Sequence, residues 1–206
     1  MFNIMKIKEN IELIENTMCN VYVIKISGKI VQVDAGMKGN AKTILEYYKE
    51  RGIKPDIVLI THYHLDHIGS LKVIQEEYNP EIYAGSIEIP IIEGNVPMPK
   101  PKSLGARIMF SMIKPEKVTG VKDAKKLEIE GIKAIDTPGH TPGSTSYLIE
   151  NEKVIFIGDV AGNVNGELKI NEKYTLDMEN ARKSLELIKS LSPLLVLPGH
   201  GSPIEI

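Results

Sequence analysis

The stretch "ITHYHLDHIG", residues 60–69, holds three of the chain's five histidines, with an aspartate between His62 and His67. If the chain leaves a strand at Thr61, alternate residues can turn their rings toward one point, which brings His62 and His64 together. Leu65 then makes the turn, and Asp66 and His67 lie at the mouth of a following helix. One short motif thus offers two imidazoles to one metal ion and a carboxylate and an imidazole to its neighbour. Imidazole nitrogen and carboxylate oxygen suit zinc, and also iron or manganese.

Working outward, short β-branched runs recur: "VYVIKI" (21–26), "KIVQV" (29–33), "DIVLI" (56–60), "TSYLI" (145–149), "KVIFI" (153–157) and "LLVL" (194–197). Several are continuously apolar, as strands covered on both faces are. Helical patterns lie between them. Asn40 can cap "AKTILEYYKER", which stops at Gly52 with Pro55 beyond. Asp177 can cap a helix on which Met178, Ala181, Leu185, Ile188 and Leu191 share a face. A third helix is expected from Ile68 to Tyr78, ending at Asn79-Pro80. The pattern predicts a layered α/β sandwich.

The two halves of the chain resemble each other. "GKIVQVDAG" (28–36) and "EKVIFIGDVAG" (152–162) both read as a strand, a terminal aspartate and Ala-Gly. Each is followed by an amphipathic helix and then by a strand that ends in histidine, "PDIVLITHYH" (55–64) and "SPLLVLPGHG" (192–201). A diverged duplication places Asp34, His62, Asp159 and His200 just beyond strand C-termini, where sites gather in such folds. Between Tyr83 and Val118 the character changes to a proline- and methionine-rich insertion, with one short apolar helix expected near Leu104–Ile113.

Composition bounds the function. The chain has 206 residues, 42% of them hydrophobic and 25% charged, with a formal net charge of −2. That balance gives no case for a nucleic-acid or membrane-surface partner. The single cysteine, Cys19, excludes an intrachain disulfide and reads as a small buried residue near the first strand. The N-terminus lacks a signal-peptide pattern and no run reaches the length of a membrane span, so the expected compartment is the cytoplasm.

The remaining histidines lie in small-residue loops, His140 in "DTPGHTPGS" and His200 in "LPGHG". Asp159 follows an apolar strand, where a bare carboxylate is expensive unless ionically paired. Every histidine therefore sits at a strand end or in a Pro-Gly loop. At this point the chain resembles a known family. "THYHLDH" is similar to the HxHxDH signature of the metallo-β-lactamase superfamily, and "VDAG", "TPGHTPGS", "GD" and "PGHG" resemble its other motifs in order.

The resemblance implies a four-layer αββα sandwich of two similar halves in a single domain over residues 1–206. It implies that His62, His64 and His140 bind one metal, that Asp66, His67 and His200 bind a second, and that Asp159 bridges the two. Asp34 resembles the carboxylate that orients ligand histidines. Two divalent cations, zinc by expectation, held about 3.5–4 Å apart can share a water and lower its pKa from about 15.7 toward 7. The expected activity is hydrolysis of a small ester, thioester or lactone by that bridging hydroxide, with Asp66 as the catalytic proton acceptor.

Departures from the family narrow the substrate. β-Lactamases commonly have cysteine where Asp159 stands. The region that helps hydroxyacylglutathione hydrolases hold glutathione is not found after His200, and Gly162 stands where acyl-homoserine lactonases place a tyrosine. A small-molecule acyl substrate is the expected partner within the hydroxyacylglutathione hydrolase and lactonase branch. The alternatives are a mononuclear iron enzyme like persulfide dioxygenase and a non-catalytic metal-binding protein of the same fold. The insertion, about 84–118, is expected to be either a core cover or a lid that lines the substrate pocket with Met109, Phe110 and Met112.

Overall fold

A computed structural model describes residues 4–99, 116–192 and 194–206. The first sheet has seven strands in chain order. β1 (Ile4–Lys8), β2 (Ile11–Ile14), β3 (Val21–Ile26) and β4 (Lys29–Val33) form an antiparallel meander. β5 (Ile57–Leu59), β6 (Glu81–Ala84) and β7 (Lys122–Asp123) then extend the sheet in parallel. The second sheet contains β8 (Lys133–Asp136), β9 (Thr145–Ile149), β10 (Val154–Gly158), β13 (Leu195–Pro198) and β14 (Ile204–Glu205), in the order β14-β13-β10-β9-β8. A hairpin of β11 (Gly162–Val164) and β12 (Glu167–Lys169) stands apart from both.

Side-chain alternation builds the layers. In β3, Tyr22 and Ile24 join the apolar layer between the sheets, whereas Val21 and Val23 turn to the opposite face. In β10, Val154 and Phe156 face the first sheet while Ile155 and Ile157 face outward. The Tyr22 and Phe156 rings meet edge to face across the gap, with centroids 5.2 Å apart. Helix α1 (Ala41–Arg51) covers the first sheet with Ile44, Tyr47 and Tyr48, beside Leu71 and Ile74 of α3 (Leu71–Tyr78). Helix α5 (Met178–Ser190) covers the second sheet with Leu185 and Ile188. Helix, sheet, sheet, helix is the αββα order expected from the sequence. Each half has a parallel pair at its heart, β4 with β5 and β10 with β13, as the duplicated pattern implies.

Two local expectations need correction. The helix expected over Ile68–Tyr78 is broken into α2 (Leu65–Ile68) and α3. At Gly69 the backbone of Met37 and Lys38 approaches so closely that a Cβ would stand 2.7 Å from the Met37 carbonyl carbon. Asn40 makes no side-chain cap on α1; its Oδ1 accepts instead from Met37 N–H (2.9 Å) and Met18 N–H (3.1 Å). The C-terminal stop is as read, with Gly52 left-handed at φ 61°. Asp177 caps α5, accepting from the N–H groups of Glu179 and Asn180. Both ends of the insertion pack into the core, the first through Ile91 and Ile92 of α4 (Ile89–Ile92) and the last through Val118. The expected helix at Leu104–Ile113, with Met109, Phe110 and Met112, lies outside the described residues.

Candidate metal centre

Strand C-termini deliver the site. Asp34 follows β4, His62 comes three residues after the end of β5, Asp159 follows β10 and Gly199-His200 follow β13. His140 comes from the loop between β8 and β9. His62, His64 and His140 bring one candidate donor atom each within 4.8 Å of one another, and Asp66, His67 and His200 do the same. Asp159 lies between the two groups. Its Oδ2 is 3.4 Å from His140 Nε2 and 3.6 Å from His200 Nε2, and its Oδ1 is 3.3 Å from His67 Nε2. All seven residues named from the sequence converge.

A buried hydrogen-bond chain sets the tautomers. Asp34 has a left-handed backbone (φ 60°), unusual outside glycine, and is anchored by its N–H on Leu59 O at 2.8 Å. Its carboxylate accepts from Thr61 N–H (2.9 Å), Thr61 Oγ1 and His67 Nδ1 (2.8 Å). Thr61 has only one hydroxyl proton. Given to Asp34, it leaves Oγ1 to accept from His62 Nδ1 at 3.1 Å. Both His62 and His67 thereby keep a proton on Nδ1, which leaves Nε2 as the nitrogen that can ligate a cation. Gln32 and Tyr48 brace Asp34 from behind: Tyr48 donates to Gln32 Oε1 (2.8 Å), and Gln32 Nε2 donates to Asp34 O (2.6 Å).

The two groups differ in proton affinity. Burial holds His62, His64 and His140 below the ordinary imidazole value, His64 at about 3. They are neutral lone-pair donors at pH 7. For His67 burial acts in the same direction, but Cys19 and the carboxylates of Asp34, Asp159 and Asp66 outweigh it and raise it. The hydrogen bond to Asp66 at 3.1 Å raises His200 as well. Burial opposes ionisation of Asp66, but His67 and His200 bring it down to about 2. Asp159 is likewise lowered against its burial, by His67 and His140.

The cluster fits cations. His62 Nε2, His67 Nε2 and Asp159 Oδ1 are buried and have no hydrogen-bond partner among the described residues, a costly state unless something else satisfies them. Asp66 and Asp159 form ion pairs only with histidines among the described residues. His64 Nδ1 and His140 Nε2 are 2.9 Å apart. Two nitrogens on one tetrahedral ion, with bonds of about 2.0–2.1 Å, stand about 3.3 Å apart. Close backbone approach completes the cradle: a Cβ at Gly199 would collide with Asp159 Oδ1 and come within 2.8 Å of His67 Cε1.

A cleft of about 290 Å³ opens above the cluster, walled by Met18, Met37, Leu65, Asn171 and Tyr174. A larger, more open groove of about 620 Å³ lies at the opposite ends of β4–β6 and contains none of the clustered residues. Sequence reasoning missed Met18 and Met37, which no motif marks. It also missed Thr61, although that residue stands inside the histidine motif. Cys19 is buried as expected, yet it lies within the same reach of Asp34 and His67, and burial pushes its thiol up to about 11.

An αββα sandwich with paired histidine and aspartate clusters at its strand ends supports a metal-dependent hydrolase. The sequence matches the model of the metallo-beta-lactamase superfamily over residues 14–200, and the chain belongs to that family. It is 28% identical to the probable metallo-hydrolase YflN of Bacillus subtilis, over 91% of this chain and 82% of that protein. It is 23% identical to the hydroxyacylglutathione hydrolase GloC of Haemophilus influenzae, over 82% of this chain and 79% of that one. The crystal structure of TTHA1623 in a di-iron-bound form superposes with a TM-score of 0.74 at 24% identity, covering 94% of this chain and 92% of that chain.

Proposed function

We propose that the protein is a binuclear metal-dependent hydrolase of small esters, thioesters or lactones. The observation that carries this reading is the meeting of two donor groups at Asp159 on the floor of the cleft, with buried donor atoms unsatisfied. His62, His64 and His140 would hold one cation, Asp66, His67 and His200 the other, and Asp159 would contact both. When bound, such a pair supplies Lewis acidity, acidifying water toward neutrality and polarising the carbonyl under attack. Asp66, which lines the cleft and hydrogen-bonds His200, would take a proton and return it to the leaving group. Met18, Met37, Leu65 and Tyr174 would seat the acyl part and exclude water.

Zinc suits these donors, and iron does too, as the di-iron form of TTHA1623 illustrates. The hydroxyacylglutathione hydrolase among the relatives supports a thioester within the substrate class. The test is metal analysis of protein purified without chelator, followed by a panel of esters, thioesters and lactones with a β-lactam alongside. About two metal equivalents and turnover of an acyl substrate are expected. A metal-replete protein that turns over none of the panel, or that consumes oxygen with a persulfide, would overturn the reading.

A further inference from the structure

Glu88 is a fully buried carboxylate that neither the histidine cluster nor the cleft uses. It precedes α4, its own N–H bonded to Gly85 O at 2.8 Å. Its Oε2 accepts the N–H of Tyr63 at 2.7 Å. Its Oε1 accepts from Thr141 Oγ1 at 2.9 Å and from Gly143 N–H at 2.8 Å. Tyr63 is the residue between His62 and His64, and Thr141 follows His140. One carboxylate therefore joins the two backbone segments that carry all three histidines of the first group.

The packing around it is close. A Cβ at Gly143 would stand 2.7 Å from Glu88 Oε1, and one at Gly85 would collide with Gly143 O, so two glycines let the 85–88 and 141–144 turns meet. Glu88 forms no ion pair among the described residues, and burial pushes its carboxyl up to about 7 despite three donors. A carboxylate left in that condition is costly, which marks its position as one that geometry requires.

We propose that Glu88 is a positioning residue that ties the Tyr63 peptide to the Thr141–Gly143 turn, fixes the spacing of His64 and His140, and so sets the affinity of the three-histidine group for a divalent cation. The inference rests on the reading of those three histidines as one metal set. The second group is held separately, His67 by Asp34 and His200 by Asp66. Loss of Glu88 should therefore weaken one group and spare the other.

The experiment is cobalt(II) titration of the metal-free full chain, followed by absorption bands that separate the site with three imidazoles from the site with two imidazoles and Asp66. Glu88→Gln preserves volume, but its amide NH2 must face one of the donors, which breaks one side of the tie. Cobalt should bind the three-histidine group about 10–100-fold more weakly in this variant, with little change in the second group. In the metal-free protein, amide exchange at Tyr63 or Gly143 should also accelerate. If Glu88→Gln does not fold, Thr141→Val and Thr141→Ser decide: the hydroxyl-free variant should lose affinity and the serine variant should retain it. Equal weakening of both groups, or affinity unchanged in the variants, would overturn the role of Glu88. Failure of the unaltered protein to bind cobalt would instead overturn the metal reading on which it rests.

Discussion

His67 donates through Nδ1 to Asp34 and turns its other nitrogen toward Asp66 and Asp159, at 3.8 and 3.3 Å. Its raised proton affinity, like that of His200, has a thermodynamic consequence. Both hold a proton more tightly in the metal-free protein than an ordinary imidazole does, whereas burial makes His62, His64 and His140 hold one less tightly. Metal ligation requires neutral imidazole, so filling the Asp66, His67 and His200 group should release more protons than filling the three-histidine group. Calorimetric titration in buffers of different ionisation enthalpy reads this directly. Heats independent of buffer for both groups would contradict the proton assignment. All five histidines were legible because their spacing and strand-end loops are local features. Glu88 and Cys19 were not, because packing across the fold alone brings them to the histidines.

At the scale of elements, α1 docks on β2 through a charged seam. Glu12 Oε2 accepts from Tyr47 Oη (2.7 Å) and from Arg51 Nη2 (2.8 Å). Partial burial would raise the Glu12 carboxyl, but these bonds offset it and leave the pKa below its usual 4.5. A carboxylate lowered in the folded state adds stability above its unfolded pKa, and that stability fades as pH falls through the folded value. Glu12→Gln should thus cost about 1 kcal/mol at pH 7, and the difference from the unaltered protein should vanish below that lowered pKa. Denaturant unfolding across pH 2–7 (roughly, spanning both values) checks it; a gap that persists in acid would refute the assignment. The cleft wall is also built by elements, with Met18 from the turn before β3 and Met37 from the turn before α1. Each methylene gripped there should contribute roughly 1 kcal/mol to kcat/KM. A graded ester series should favour longer chains, and Met18→Ala with Met37→Ala should flatten the slope without altering metal content. Equal loss on every ester would point to a structural role for the methionines. Strands β3, β4 and β9 match the apolar runs residue for residue. β1, β6 and β8 escaped notice because exposed charged residues such as Lys6, Glu81 and Lys133 interrupt their apolar character.

For the whole molecule, the duplicated strand–aspartate and strand–histidine pattern foretold the layers and the strand ends at which the candidate donors gather. Parallel pairs β4·β5 and β10·β13 point their C-termini at one line, and Asp34, His62, Asp159 and His200 lie along it. What the pattern could not show is how the halves are locked together. Asn20 does this from the first half: its N–H donates to Gly199 O at 2.7 Å, and its Nδ2 donates to Pro198 O at 2.8 Å. Those bonds hold the His200 loop against the His67 side of the cluster, where Asp159 faces both donor groups. The central claim is that this single carboxylate unites two cation sites, and metal stoichiometry of Asp159→Ala beside the unaltered protein tests it most directly. The account predicts about two equivalents in the unaltered protein, and one or fewer with hydrolysis abolished in the variant. Two tightly held equivalents and a near-normal kcat in Asp159→Ala would contradict it.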